Sequence, residues 1–392
     1  MNAPSLPRVT WLELFYDLIV ASAMFLVFGA LSAETNWGAY GWYAAIVFLI
    51  FSIWVSTTLA NSRVPDDSTT KRILVILQMF ASLVAVLSTD RTGPIDDQLG
   101  ILALACVFFI LALLWYRVRL KLPDQKRADS VPIASSLLAG ICFTTAVWVP
   151  IEWDTSVFLI GAGLGLLPFF LMYIPRLARQ IPIDEHHLRE RFGQLVLVML
   201  GESFLKVMMY VTKGATPRLG GVGLVFIIVS LIWWQFFTYI NPSKMPQGGA
   251  RLVGYILGHA LIVLGVGSAA ISLSDVAVDT GDGMSPAVVG GTLGWSLALT
   301  YAGFTVITAC SPRNRLVSPL FLFATFVLME CGVNLWGGQM VLGSGKSEEP
   351  VGALYAFLTG VILLISVLIY RRLTHPEEEG KTGRGITSVA NI

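Results

Sequence analysis

Long apolar runs alternate with short polar connections along the whole chain, and the runs have the length of a bilayer. A helix of about 20 mostly apolar residues spans the hydrocarbon core. Runs of this kind occupy residues 12–32, 39–60, 72–89, 98–116, 131–150, 156–174, 191–211, 219–240, 252–273, 286–309, 317–337 and 351–370. The pattern predicts an all-α integral membrane protein of about twelve transmembrane helices. None of the connections is long enough to fold by itself. Glu13 and Asp17 argue against a cleaved leader over residues 1–33, because the region before a signal core is basic rather than acidic.

Twelve spans place the even-numbered connections and both chain ends on one side of the membrane. Nearly all of the 26 lysines and arginines fall there; Arg91, Lys213, Arg218 and Lys346 fall on the other side, and Lys206 lies within a span. A bias of that sign predicts cytoplasmic N- and C-termini.

The pattern also repeats. Glu13, Phe15 and Leu18 in the first span match Glu190, Phe192 and Leu195 in the seventh. Trp54 and Asn61 match Trp233 and Asn241, and Arg72 matches Arg251. Aromatic and basic residues at span ends are generic interface anchors, but here they recur in order. The expectation is two six-helix halves, residues 1–174 and 175–370, followed by a flexible cytoplasmic tail, 371–392. An even number of spans per half makes the repeats parallel, with the pseudo-two-fold along the membrane normal.

Composition narrows the function classes. Of 392 residues, 55% are apolar and 13% charged, against about 25% charged in soluble domains. That excludes an ordinary cytosolic enzyme, a nucleic-acid binder and a disordered chain. The net charge of +1 adds no argument for a polyanionic partner. Cys106, Cys142, Cys310 and Cys331 all lie in apolar runs and read as reduced, buried small hydrophobes.

Three segments carry a resemblance. Trp11-Leu12-Glu13-Leu14-Phe15-Tyr16-Asp17-Leu18-Ile19-Val20-Ala21 resembles the opening motif of the bacterial low temperature requirement A family. His187-Leu188-Arg189-Glu190-Arg191-Phe192-Gly193, followed by Leu200-Gly201-Glu202-Ser203, resembles its second motif, and Tyr255-Ile256-Leu257-Gly258-His259 is similar to its third. Where the resemblance leads one to expect a polar side chain in span 1, this chain has Ala23-Met24-Phe25-Leu26. The resemblance implies a multi-pass protein of the bacterial cytoplasmic (inner) membrane, linked by name to growth in the cold. It implies no particular chemistry.

Candidate chemistry comes from the ionisable residues inside spans, which cost about 2.5–3.5 kcal/mol each on insertion scales and usually face the protein interior. Glu202 lies eleven residues past Arg191, about 16 Å along a helix, and Lys206 follows on the same face at i+4. Together they read as a buried pair, a proton or ion relay, or a cargo contact. Glu330 lies deep in span 11 with Asn334 one turn later, as a proton carrier or the donor of one interhelical hydrogen bond. His259 is a histidine of the third motif at about 12 Å depth. Glu13 and Asp17, also i, i+4, have Arg72, Arg191 or Arg251 as possible partners; with Glu190 these form a cytoplasmic gate or a structural charge clamp. His186 and His187 are adjacent and point different ways on a helix, so no metal site is expected. Gly161-Ala162-Gly163-Leu164-Gly165 has no preceding strand and reads as a helix-packing face, not a nucleotide loop.

The leading expectation is a secondary transporter of a small solute or ion, with proton coupling as one option. The lipid bilayer and that cargo are its partners, and neither a cofactor nor a catalytic group is expected. Alternatives are an ion channel, a membrane-embedded enzyme acting on lipid, and a non-transporting cold-stress or assembly factor.

Overall fold

A computed structural model describes residues 10–31, 37–64, 68–88, 98–122, 126–149, 151–171, 184–240, 245–246, 249–279 and 286–311, with Val327, Val361, Ile362 and Ile365. These form ten long helices: α1 (Trp11–Leu31), α2 (Trp37–Arg63), α3 (Thr69–Leu87), α4 (Gln98–Lys121), α5 (Lys126–Ala146), α6 (Ile151–Leu171), α7 (Glu185–Thr212), α8 (Leu219–Gln235), α9 (Gly249–Ala277) and α10 (Pro286–Cys310). Among the described residues, nine candidate spans have the length and hydropathy to cross a membrane, and Ser156–Pro168 in α6 is a shorter apolar stretch. Each helix covers one of the first ten expected spans. The expected spans 317–337 and 351–370 lie outside the described residues apart from isolated positions, and so do Glu330 and Asn334.

The helices run beyond the apolar runs because polar residues cap them. Ser68 accepts a hydrogen bond from Lys71 N and starts α3; Asp184 accepts one from His187 N and starts α7. Thr10 and Glu13 form a reciprocal capping box on α1: Thr10 N donates to Glu13 Oε2 at 2.9 Å, and Glu13 N donates to Thr10 Oγ1 at 3.3 Å. At the far end of α8 the helix widens into a π-turn, Phe236–Ile240.

α1 packs against α2, α3, α7 and α9, while α3 to α6 pack in series. α9 is the most enclosed helix and contacts α10 most extensively. That approach depends on glycine: a Cβ on Gly303 would meet Gly258 O at 2.5 Å, and one on Gly258 would meet Ile307 Cγ1 at 2.6 Å. Small residues let helices approach closely in lipid, where dispersion and backbone contact hold them together. Gly161 and Gly165 face Phe143 and Phe108 of neighbouring helices, whereas Gly163 faces open space. A small apolar cavity of about 40 Å³ lies between Tyr16, Val20, Ile53, Val86, Leu104 and Phe158.

Two residues from each of two connections form a minimal antiparallel pair, β1 (Thr216–Pro217) with β2 (Val278–Asp279). It joins the α7–α8 connection to the end of α9, and Arg218 N donates to Ala277 O at 2.8 Å beside it. One expectation fails here: among the described cysteines, Cys106 is exposed on α4, and Cys142 and Cys310 are half-buried rather than buried. An apolar thiol is as compatible with lipid as with a protein core, so an apolar run does not distinguish the two.

Candidate functional site

The first turns of α1 hold two carboxylates on one face. Glu13 caps its own helix and also reaches α7: His187 Nε2 lies 3.5 Å from Glu13 Oε1, and Arg191 Nη1 lies 3.9 Å from Glu13 Oε2. One turn deeper, Asp17 Oδ1 accepts from Arg191 Nη2 at 2.6 Å and from Trp54 Nε1 of α2, also at 2.6 Å. The guanidinium carbon of Arg191 stands 5.8 Å from the Trp54 ring centroid. All five side chains are buried. A desolvated ion pair persists only with good geometry and further donors, and the indole N–H and the stacked ring supply them. Of the three arginines expected near Glu13 and Asp17, Arg191 is the one that reaches them. Arg72 and Arg251 are exposed, and Glu190 is half-buried.

Phe192 extends this junction to α9. It packs on Trp54 at 5.2 Å, on Tyr255 at 5.9 Å and on His259 at 4.3 Å between ring centroids. His259 is fully buried and shares a 2.9 Å hydrogen bond between Nδ1 and Tyr255 O, while Nε2 has no partner among the described residues. Residues of the three motif segments thus converge on one buried junction of α1, α2, α7 and α9.

A second group of charges lies farther along α7. Glu202 and Lys206 are both 5% exposed, so they are enclosed by protein. They share a face but make no ion pair with each other among the described residues; Glu202 Oε2 and Lys206 Nζ have no hydrogen-bond partner there. The opposite charge acting on Lys206 comes from Asp275, in the last turn of α9. Because α7 begins at Glu185, Glu202 lies past the middle of this 28-residue helix, farther from its start than a span starting at residue 191 implies.

Trp54, Asp275 and Thr10 join these networks from positions that the sequence does not single out for them. Trp54 is expected only as a repeat marker, and Asp275 falls beyond the apolar run ending at residue 273. The Thr10–Glu13 capping box has a sequence signature, Thr-x-x-Glu before an apolar run. Arg63 at the end of α2 forms a buried ion pair with Asp129 of α5, two residues expected in connections.

A family model described as bacterial low temperature requirement A protein matches residues 8–369. The chain is also similar to the uncharacterized protein RA0937 of Rhizobium meliloti (strain 1021), with 21% identity over 288 residues, covering 66% of this chain and 67% of the relative.

Proposed function

Since the chain belongs to the bacterial low temperature requirement A family and is a multi-pass helical membrane protein, we propose that it is a secondary transporter of a small solute or ion, with proton coupling as one option. The observation that carries this reading is the presence of two separate layers of buried charge within bilayer-length helices. One is Glu13, Asp17, His187 and Arg191 where α1 meets α7; the other is Glu202 and Lys206 on α7, with the half-buried Asp275 of α9 as the opposite charge. Intramembrane charge is expensive to insert and marks ion pathways and relays. Two layers at different depths suit a carrier that opens to one side at a time.

The packing pattern supports a six-plus-six architecture. α1 touches α2 and α3, and α3 packs on α4; in the same way α7 touches α8 and α9, and α9 packs on α10. In this reading α1 and α7 are equivalent helices of the two halves, and Asp17–Arg191 is a gate on the cytoplasmic side that rocking of the halves would break. Glu202, Lys206 and His259 are the coupling candidates within the described residues, and Glu330 and Asn334 complete the proposed set. The lysine and arginine bias supports cytoplasmic termini in the inner membrane.

Proteoliposomes with a trapped pH-sensitive dye and an imposed proton gradient test the reading, with monovalent cations, divalent cations and amino acids offered in turn. The expected result is saturable, gradient-dependent flux of one probe, abolished by Glu202→Gln and by Lys206→Gln. Unsaturable unitary currents, no flux with any probe, or full flux in both variants would overturn it.

A further inference from the structure

Away from both charge layers, α2 and α4 end where α3 begins, and a pocket opens between them. Its walls include Asn61 of α2, Lys71 of α3, and Arg117 and Lys121 of α4. Lys71 is only 9% exposed, so its cation is held against the pocket although a lysine of this length ordinarily reaches for water. Arg117 Nη2 donates to Ser68 Oγ at 2.8 Å, and that same oxygen accepts from Lys71 N at 3.3 Å. The guanidinium is thereby fixed beside the first turn of a 19-residue helix. Backbone N–H groups and the helix dipole favour an anion at that end.

Beside Arg117 and Lys121, α4 turns an apolar face outward. Leu113, Tyr116 and Leu120 are exposed along α4 next to them, whereas the exposed stripe of α3 lies on the face opposite Lys71. A basic head beside an apolar face complements an amphiphile with an anionic head and hydrocarbon tails. Guanidinium and ammonium groups are strong partners for phosphate oxygens, and basic pockets between membrane helices take lipid headgroups. We propose that this pocket binds the phosphate of an anionic phospholipid, with its acyl chains along the exposed face of α4.

The test follows thermal unfolding of the full chain in detergent while phosphatidylglycerol, phosphatidylcholine or inorganic phosphate is titrated. Phosphatidylglycerol is expected to raise Tm saturably. Half-saturation is expected to need about tenfold more lipid in Lys71→Gln or Arg117→Gln, the loss of one charge-assisted contact. Lys213→Gln, which removes an exposed cation in the α7–α8 connection, should leave the titration unchanged. If the buried-site variants do not fold, Lys121→Gln, exposed at the pocket rim, carries the same comparison. An equal response to phosphatidylcholine, a response to inorganic phosphate alone, or titrations indifferent to every pocket variant would overturn the proposal.

Discussion

Arg191 on α7 grips Asp17 on α1 at 2.6 Å across 174 positions of sequence. Each residue lies six positions into its own helix, so the contact joins two helices at matching depth. Trp54 and Glu13 complete a box around the guanidinium. The nearest equivalents of Asp17 and Arg191 elsewhere, Arg63 and Asp129, join α2 to α5 within the first six helices.

Removing one partner of the Asp17–Arg191 pair strands the other charge. Arg191→Gln is expected to destabilise the protein by about 3–5 kcal/mol. Asp17→Asn combined with Arg191→Gln should be less damaging than the sum of the singles, by about 0.5–3 kcal/mol. Chemical unfolding in detergent measures both, and strict additivity would show that the pair is not energetically coupled.

Trp54→Phe keeps an aromatic ring but removes the N–H that Asp17 accepts. The expected loss is about 1.5–3 kcal/mol, the range for a hydrogen bond to a charged group. In an Asp17→Asn background the same substitution should matter much less. Thermal unfolding of the four proteins decides whether the indole acts through that carboxylate.

Glycine positions separate by what surrounds them. Gly303→Val places atoms where Gly258 O and Ile262 Cγ1 already stand, at 2.5 and 2.7 Å from a built Cβ. Overpacking of that kind costs about 1–3 kcal/mol, and parting α9 from α10 should show as poor yield of folded protein. Gly163→Ala has nothing within 4 Å and should be neutral or stabilising by about 0.5–1 kcal/mol. Size-exclusion profiles and unfolding curves of the two variants make the comparison.

Lys206 and Asp275 should behave as one electrostatic unit in stability and as separate groups in flux. Asp275→Asn alone leaves the enclosed Lys206 without its counterpart and should lower Tm, and Lys206→Gln does the same to the half-buried Asp275 by a smaller amount. The double variant should regain part of that loss. Gradient-driven flux should be lost in all three. A double variant less stable than both singles would remove the case for coupling between α7 and α9.

The apolar runs made the number and order of the first ten helices legible, since bilayer thickness sets a length that hydropathy reports directly. The helix ends were less legible. Residues 61–63 are polar and 185–190 are polar apart from Leu188, yet capping and packing continue the helix through them, and this moved Arg63 and His187 from connections into the core. The same effect hid Asp275: an apolar window closing at residue 273 leaves it outside, while α9 continues to Ala277. The motif segments were visible as strings, but their meeting was not, because which arginine faces Asp17 depends on how α1 and α7 are rotated about their axes. Arg72 and Arg251 have the same charge at comparable depth and turn outward.

The paired residues Thr216–Pro217 and Val278–Asp279 act as a clasp on the rim above Lys206 and Asp275. Backbone bonds tie the entry to α8 to the exit of α9, so those two termini travel as one piece. Separation at that rim must therefore occur on either side of the clasp.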